Sequence, residues 1–210
     1  MSTDATTDRV ADGGTRLRNP AVYTWQGARP TTLESVRLLL ADGRLRASGR
    51  LIAVGDPAVQ AEPFSASFDV YLDRGEQACR LLLRTTTAAQ ERQISLSRTE
   101  DGPWLLDRGD TSQRDDFEGS VTLGVAGVVT LASLPIRRFG LHREVGEHEL
   151  PVVLVSLPDL EIQLVRQTYR TVSVNESGAV IAFTQGEFTT ELTVDTEGVV
   201  IDYPGIASRV

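Results

Sequence analysis

Apolar and polar residues alternate with a period of two through most of this chain. Phe68, Val70 and Leu72 interleave with Asp69, Tyr71 and Asp73, and Ile94 and Leu96 with Gln93, Ser95 and Ser97. Late in the chain Phe188, Thr190, Leu192 and Val194 alternate with Thr189, Glu191, Thr193 and Asp195. Successive side chains of a strand point to opposite faces, so each segment reads as a β-strand with one half-buried face. Turn signals punctuate the strands. Leu38–Leu40 and Leu45–Val54 flank Ala41-Asp42-Gly43-Arg44, and Asp-Gly favours hairpins because both positions tolerate positive φ. Glu100-Asp101-Gly102-Pro103 precedes a restart at Trp104, and Asp195-Thr196-Glu197-Gly198 precedes a last strand from Val199. Helical periodicity is scarce; Thr32–Arg37 reads equally as a short helix capped by Thr31 or Thr32 or as a strand. The pattern predicts an all-β fold, a single large curved antiparallel sheet forming an open half-barrel with little helix. A meander this long must curl or close.

The alternation breaks at Gly119–Ile136, a run without a charged residue, followed at once by Arg137 and Arg138. The run just reaches the length of a membrane span. Gly119, Gly124, Gly127, four hydroxyl side chains and Pro135 argue against one, and buried strands joined by a turn are expected instead. If Leu134–Arg138 is extended, the two arginines face opposite sides and one points inward. Leu134, Ile136 and Arg138 would then share a face. A buried arginine needs an acidic or polar partner. The acidic cluster Asp115-Asp116-Phe117-Glu118 precedes the run, so a turn within it would bring Asp116 or Glu118 to Arg137 or Arg138. Such a fork suits a phosphate, carboxylate or sugar hydroxyl, or simply neutralises a half-buried arginine.

Composition narrows the classes. A net charge of −8 and a pI near 4.8 argue against nucleic acid and against docking on anionic lipid. They leave open a lipid held in an internal pocket. With 40 % hydrophobic and 24 % charged residues the chain is ordinary for a globular protein. The segment from Met1 to about Pro20 is polar and has no apolar stretch. That predicts a disordered tail over 1–20 without a secretory signal, then one domain over 21–210 in a cytoplasmic protein. Cys79, the single cysteine, reads as a small core hydrophobe, and His142 and His148 as solvated histidines of a polar hairpin tip rather than metal ligands.

No Gly-x-Ser-x-Gly elbow, phosphate loop or His-Glu-x-x-His helix occurs, and neither a cofactor nor a metal is expected. Asp116 and Glu118 could serve as a glycosidase pair, but adjacent carboxylates beside basic residues read more simply as a solvated turn. Trp25, Trp104 and Tyr169 are candidates to offer a ring face to a sugar or lipid chain, with the core as the alternative place for each. Tyr203 carries the same ambiguity.

An ordered set of short segments adds a resemblance. Trp25-Gln26-Gly27, Glu34, Ala47-Ser48-Gly49, Phe68-Asp69-Val70, Arg92–Leu96, Gly102-Pro103-Trp104, Leu134-Pro135-Ile136-Arg137-Arg138, Leu157–Leu160, the Tyr169 segment, Phe188 with Leu192–Asp195, and Gly198–Pro204 follow the order of the bacterial family named putative glycolipid-binding. The resemblance implies a spiral β-roll similar to the half-barrels of bacterial lipoprotein carriers. It also implies a small amphiphilic ligand such as a glycolipid. Two segments depart from the family pattern. An Asp-x-Asp segment becomes Asp116-Phe117-Glu118, and a Thr-Pro-x-Thr-Asn stretch becomes Val128-Val129-Thr130-Leu131-Ala132-Ser133. If that stretch touches the ligand, the ligand of this chain is more apolar there. The residues and the resemblance together favour a binding protein over an enzyme, with an apolar cavity and an arginine/carboxylate anchor, and leave the enzyme question open. The candidate contacts are Arg137, Arg138, Asp116, Glu118, Trp25, Trp104 and Tyr169. An enzyme acting on a small glycosylated or acylated metabolite, and a structural domain with a fully packed interior, are the alternatives. The sequence does not set the oligomeric state.

Overall fold

The structure, a computed structural model, describes residues 20–41, 44–73, 79–98 and 102–210. The expected tail before Pro20 and the tips of the turns at Asp42-Gly43 and Glu100-Asp101 lie outside the described residues. The strands are β1 (Ala21–Ala28), β2 (Thr31–Ala41), β3 (Arg44–Ala53), β4 (Phe64–Leu72), β5 (Cys79–Thr86), β6 (Glu91–Arg98), β7 (Trp104–Asp107) and β8 (Ser112–Asp115). After them come β9 (Thr122–Val125), helix α1 (Val129–Arg138), β10 (Glu147–Val155), β11 (Ile162–Asn175), β12 (Gly178–Gln185), β13 (Phe188–Asp195), β14 (Val200–Tyr203) and β15 (Ala207–Arg209). Thr32–Arg37 is thus strand, not helix.

All fifteen strands form one sheet, in the order β8 to β1, then β15 down to β9. It is two meanders, antiparallel except for the β9–β10 pair, fused where the first and last strands meet. Trp25 pairs with Arg209 and Gln26 with Ser208, and the Val210 amide donates to Thr24 O at 2.9 Å. The sheet curls until the β10–β11 turn reaches the other meander. Thr85 Oγ1 donates to Pro158 O at 2.8 Å, Arg92 pairs with Asp159 at 3.1 Å, and Arg108 donates to Leu160 O at 3.3 Å. The expected all-β roll is the observed one.

The period-two pattern explains the core. Leu81 and Leu83 of β5, Ile94 and Leu96 of β6, and Leu192 and Val194 of β13 are buried on the concave side. Trp25 and Trp104 are fully buried, and each indole N–H is satisfied by a carbonyl, of Val200 (2.9 Å) and Ser120 (2.7 Å) respectively. Cys79 is a buried thiol, as expected.

The charge-free run departs from expectation. It supplies β9 and then α1, the one α-helix among the described residues. The motif Leu134–Arg138 is therefore the C-terminal half of a helix, not a strand. The reason lies in the sheet: β9 runs parallel to β10, and parallel neighbours need a crossover. α1 is that crossover, and it fills the hollow of the roll with Val129, Leu131, Leu134, Pro135 and Ile136 all buried. Among the described residues no helix is long and apolar enough to cross a membrane.

The two histidines also differ from expectation. His142 is buried, with Nδ1 3.4 Å from Ile136 O, and burial holds its pKa below the ordinary value. His148 stacks on Phe139 at 4.0 Å between ring centres.

Candidate ligand-binding site

α1 begins on a buried carboxylate. Glu34 of β2 accepts from the amides of Val129 (2.5 Å) and Thr130 (3.1 Å) and from Thr130 Oγ1 (2.6 Å). These amides are helix donors that no carbonyl of the helix can satisfy, and the N-terminal end of the helix dipole favours an anion there. Val128, the residue at the cap position, makes no side-chain cap bond. Burial nonetheless pushes the Glu34 pKa up to about 7, against the pull of the three donors. At the other end Arg137 and Arg138 occupy the last turn, where cations complement the dipole. Ser133 Oγ accepts from the Val200 amide at 3.2 Å and ties the middle of the helix to β14.

So anchored, α1 stands off from β11–β13 and leaves a cavity of about 270 Å³. One wall is apolar: Val128 at the cap position and Leu131, Ala132 and Pro135 of α1, with Leu123 and Val125 of β9. The opposite wall is aromatic. Phe183 meets Tyr169 edge-on at 5.0 Å and Tyr203 at 5.7 Å, and Phe188 lies 6.3 Å from both Phe183 and Tyr203. Into this wall is set a chain of neutral hydrogen bonds. The Tyr169 hydroxyl donates to Gln167 Oε1 at 2.8 Å, and Gln167 Nε2 donates to Gln185 Oε1 at 2.7 Å. Strand geometry produces it: Gln167 and Tyr169 are two apart on β11 and share a face, and Gln185 is the cross-strand partner of Gln167. Burial raises the Tyr169 pKa well above the ordinary value and pushes Tyr203 up to about 12, so both phenols stay protonated donors. Among the described residues, none that lines the cavity is charged.

Of the residues expected at a site, Tyr169 lines the cavity, as does Tyr203, which the sequence left between core and site. Trp25 and Trp104 are core. Arg137 donates to Glu197 O, and Arg138 donates to Val121 O at 3.3 Å with its guanidinium 5.7 Å from the Phe139 ring. Both arginines are half-buried and neither lines the cavity. Asp116 does not meet them; its carboxylate accepts from the Glu118 amide at 3.2 Å and caps a 3-10 turn at Phe117–Gly119. Glu118 faces Arg166 at 3.6 Å, both side chains exposed. The expected fork fails because helix and turn geometry replace the pair of facing strands it required. The sequence alone marks neither Gln167 and Gln185 as cavity residues nor Glu34 as the cap of α1. Gln167 stood beside Tyr169 in plain view, but its inward direction depends on the strand register.

The comparisons agree with this architecture. The family described as "Putative glycolipid-binding" matches residues 22–209. The chain belongs to that family. None of the curated proteins matches it. Among solved structures, a DUF1089 family protein from Pseudomonas aeruginosa is 22% identical, with a TM-score of 0.66, covering 97% of this chain and 100% of that one. A β-barrel-like protein of the domain of unknown function DUF1849 from Brucella abortus is 9% identical, with a TM-score of 0.54, covering 91% and 94%. At these identities the two structures speak for the fold alone.

Proposed function

We propose that this protein binds an uncharged amphiphile with a hydroxylated head group, a glycolipid or a molecule like one, in the cavity between α1 and β11–β13. The observation that carries this reading is the Tyr169–Gln167–Gln185 chain in a lining without charge. Carboxamides both donate and accept, as sugar hydroxyls require of their partners. Tyr203 and Phe188 add aromatic faces for the apolar side of a sugar ring. A phosphate or carboxylate head would be buried here without a cation, which is costly. Family membership supports the same class of ligand.

The apolar wall includes Val128, Leu131 and Ala132, which stand in the stretch that departs from the family pattern. The ligand of this chain is accordingly apolar on that side. Binding without turnover fits the lining, which offers no carboxylate, imidazole or thiol as acid, base or nucleophile and holds its phenols protonated. Native mass spectrometry of the purified protein tests the proposal. A bound neutral glycolipid, lost on organic extraction, is the expected result. A bound phospholipid or fatty acid in its place would overturn it.

A further inference from the structure

A second cavity of about 500 Å³ opens beyond the β9–α1 turn, walled by Leu51, Ala53, Phe64, Leu157 and Pro158. It shares Ala126, Gly127 and Ile206 with the first cavity. We infer that the two cavities are chambers of one site, with the hydrocarbon chain of the ligand crossing the Ala126–Gly127 saddle into the second chamber. This rests on the reading above, that an uncharged head group sits at Gln167 and Tyr169.

Three observations carry it. The first is capacity. Small-molecule sites occupy roughly 300–1,000 Å³. The first chamber, at about 270 Å³, falls below that range and has no room for both a head group and a long chain. The second is the saddle. Ala126 and Gly127 are exposed and are the two smallest residues, so the turn itself raises no bulky side chain between the chambers, and the half-buried Ile206 is the one large residue that borders both. The turn is nonetheless fixed: the Ala126 amide donates to Val155 O at 2.9 Å and the Val128 amide to Val125 O at 3.0 Å. Gly127 sits at φ +78, a conformation that favours glycine, so evolution of a bulkier saddle there is strained. The third is polarity. The neutral hydrogen-bonding groups are in the first chamber, whereas the walls of the second are mainly apolar. Its two carboxylates stand at the rim: Asp159 is engaged with Arg92, and Glu62 is exposed to solvent. The arrangement sorts an amphiphile head-first into one chamber and chain-first into the other.

Isothermal calorimetry with alkyl glucosides from hexyl to dodecyl, each below its micellar concentration, tests this. The parent is expected to gain about two- to fourfold in affinity per methylene until the second chamber is full. Ala53→Phe, which fills that chamber from β3, and Ala126→Trp, which raises the saddle on an exposed turn, should each collapse the dodecyl-to-hexyl affinity ratio by at least tenfold. Thermal melts of both variants establish that they are folded, and the exposed position of Ala126 secures one folded variant if Ala53→Phe is not. A parent that binds hexyl and dodecyl glucoside equally, or folded variants that keep the parental ratio, would overturn the two-chamber site and leave the head-group reading standing. A parent that binds no glucoside of any length would overturn both.

Discussion

Glu34 is a carboxylate placed at 1 % exposure to hold the N-terminus of a helix that begins about a hundred positions later in the chain. Its folded pKa of about 7 lies above the model-peptide value of 4.5. Between those two values the folded protein binds a proton that the unfolded chain has released, so stability falls as pH rises through the window. A difference of this size is worth on the order of 3 kcal/mol. Urea denaturation from pH 4.5 to 7.5 should show that decline in the parent and a markedly flatter profile in Glu34→Gln. An unchanged profile would mean that other groups carry it. In the sequence Glu34 was visible only as one residue of an ordered family set. Its role was illegible because a cap is recognised by adjacency to its helix, and this one comes from a strand of the opposite meander. Tyr169 was legible as an aromatic candidate, but the hydrogen-bond chain through Gln167 and Gln185 needed the β11–β12 register.

At the scale of elements, the strands were legible and α1 was not. Val128, Val129 and Thr130 are β-branched, Pro135 removes a helix donor, and the run has no charge pattern to mark a face. Leu131, Ala132 and Leu134 favour a helix, but the β-branched start and Pro135 on either side of them leave only a short stretch with that preference. The helix is imposed by the β9–β10 crossover, by the Glu34 cap and by burial on all sides in the roll. An isolated helix of this length is marginal in water even with good helix formers. A peptide spanning residues 126–140 should therefore give a coil spectrum by circular dichroism. Substantial helicity in that peptide would show that the segment, not its surroundings, encodes α1. The helix also sets the direction of the arginines. A strand sets Arg137 and Arg138 on opposite faces, whereas the helix sets them about 100° apart at its C-terminal end.

At the scale of the molecule, the curled sheet followed from the length of the meander, but its closure did not. Pairing of β1 with β15 joins the first and last strands, and no local pattern announces a contact of that separation. β15 has only three residues, yet it is the strand that connects the two meanders. Deleting residues 207–210 should leave β1 and β14 with unpaired edges, lower the melting temperature by more than 10 °C, and broaden the transition as the meanders uncouple. A truncated protein that melts like the parent would place the joint elsewhere.

The roll and its capped helix together leave a hollow with a neutral hydrogen-bonding wall, and head-group charge probes that hollow most directly. Calorimetric titration of the parent and of Gln167→Leu with octyl glucoside and with octyl sulfate compares the same chain under an uncharged and an anionic head. The parent is expected to prefer the glucoside by at least tenfold, and Gln167→Leu, still folded, to lose most of that preference, as the neutral-head-group site requires. Equal or tighter binding of the sulfate, or a preference untouched by the substitution, would contradict it.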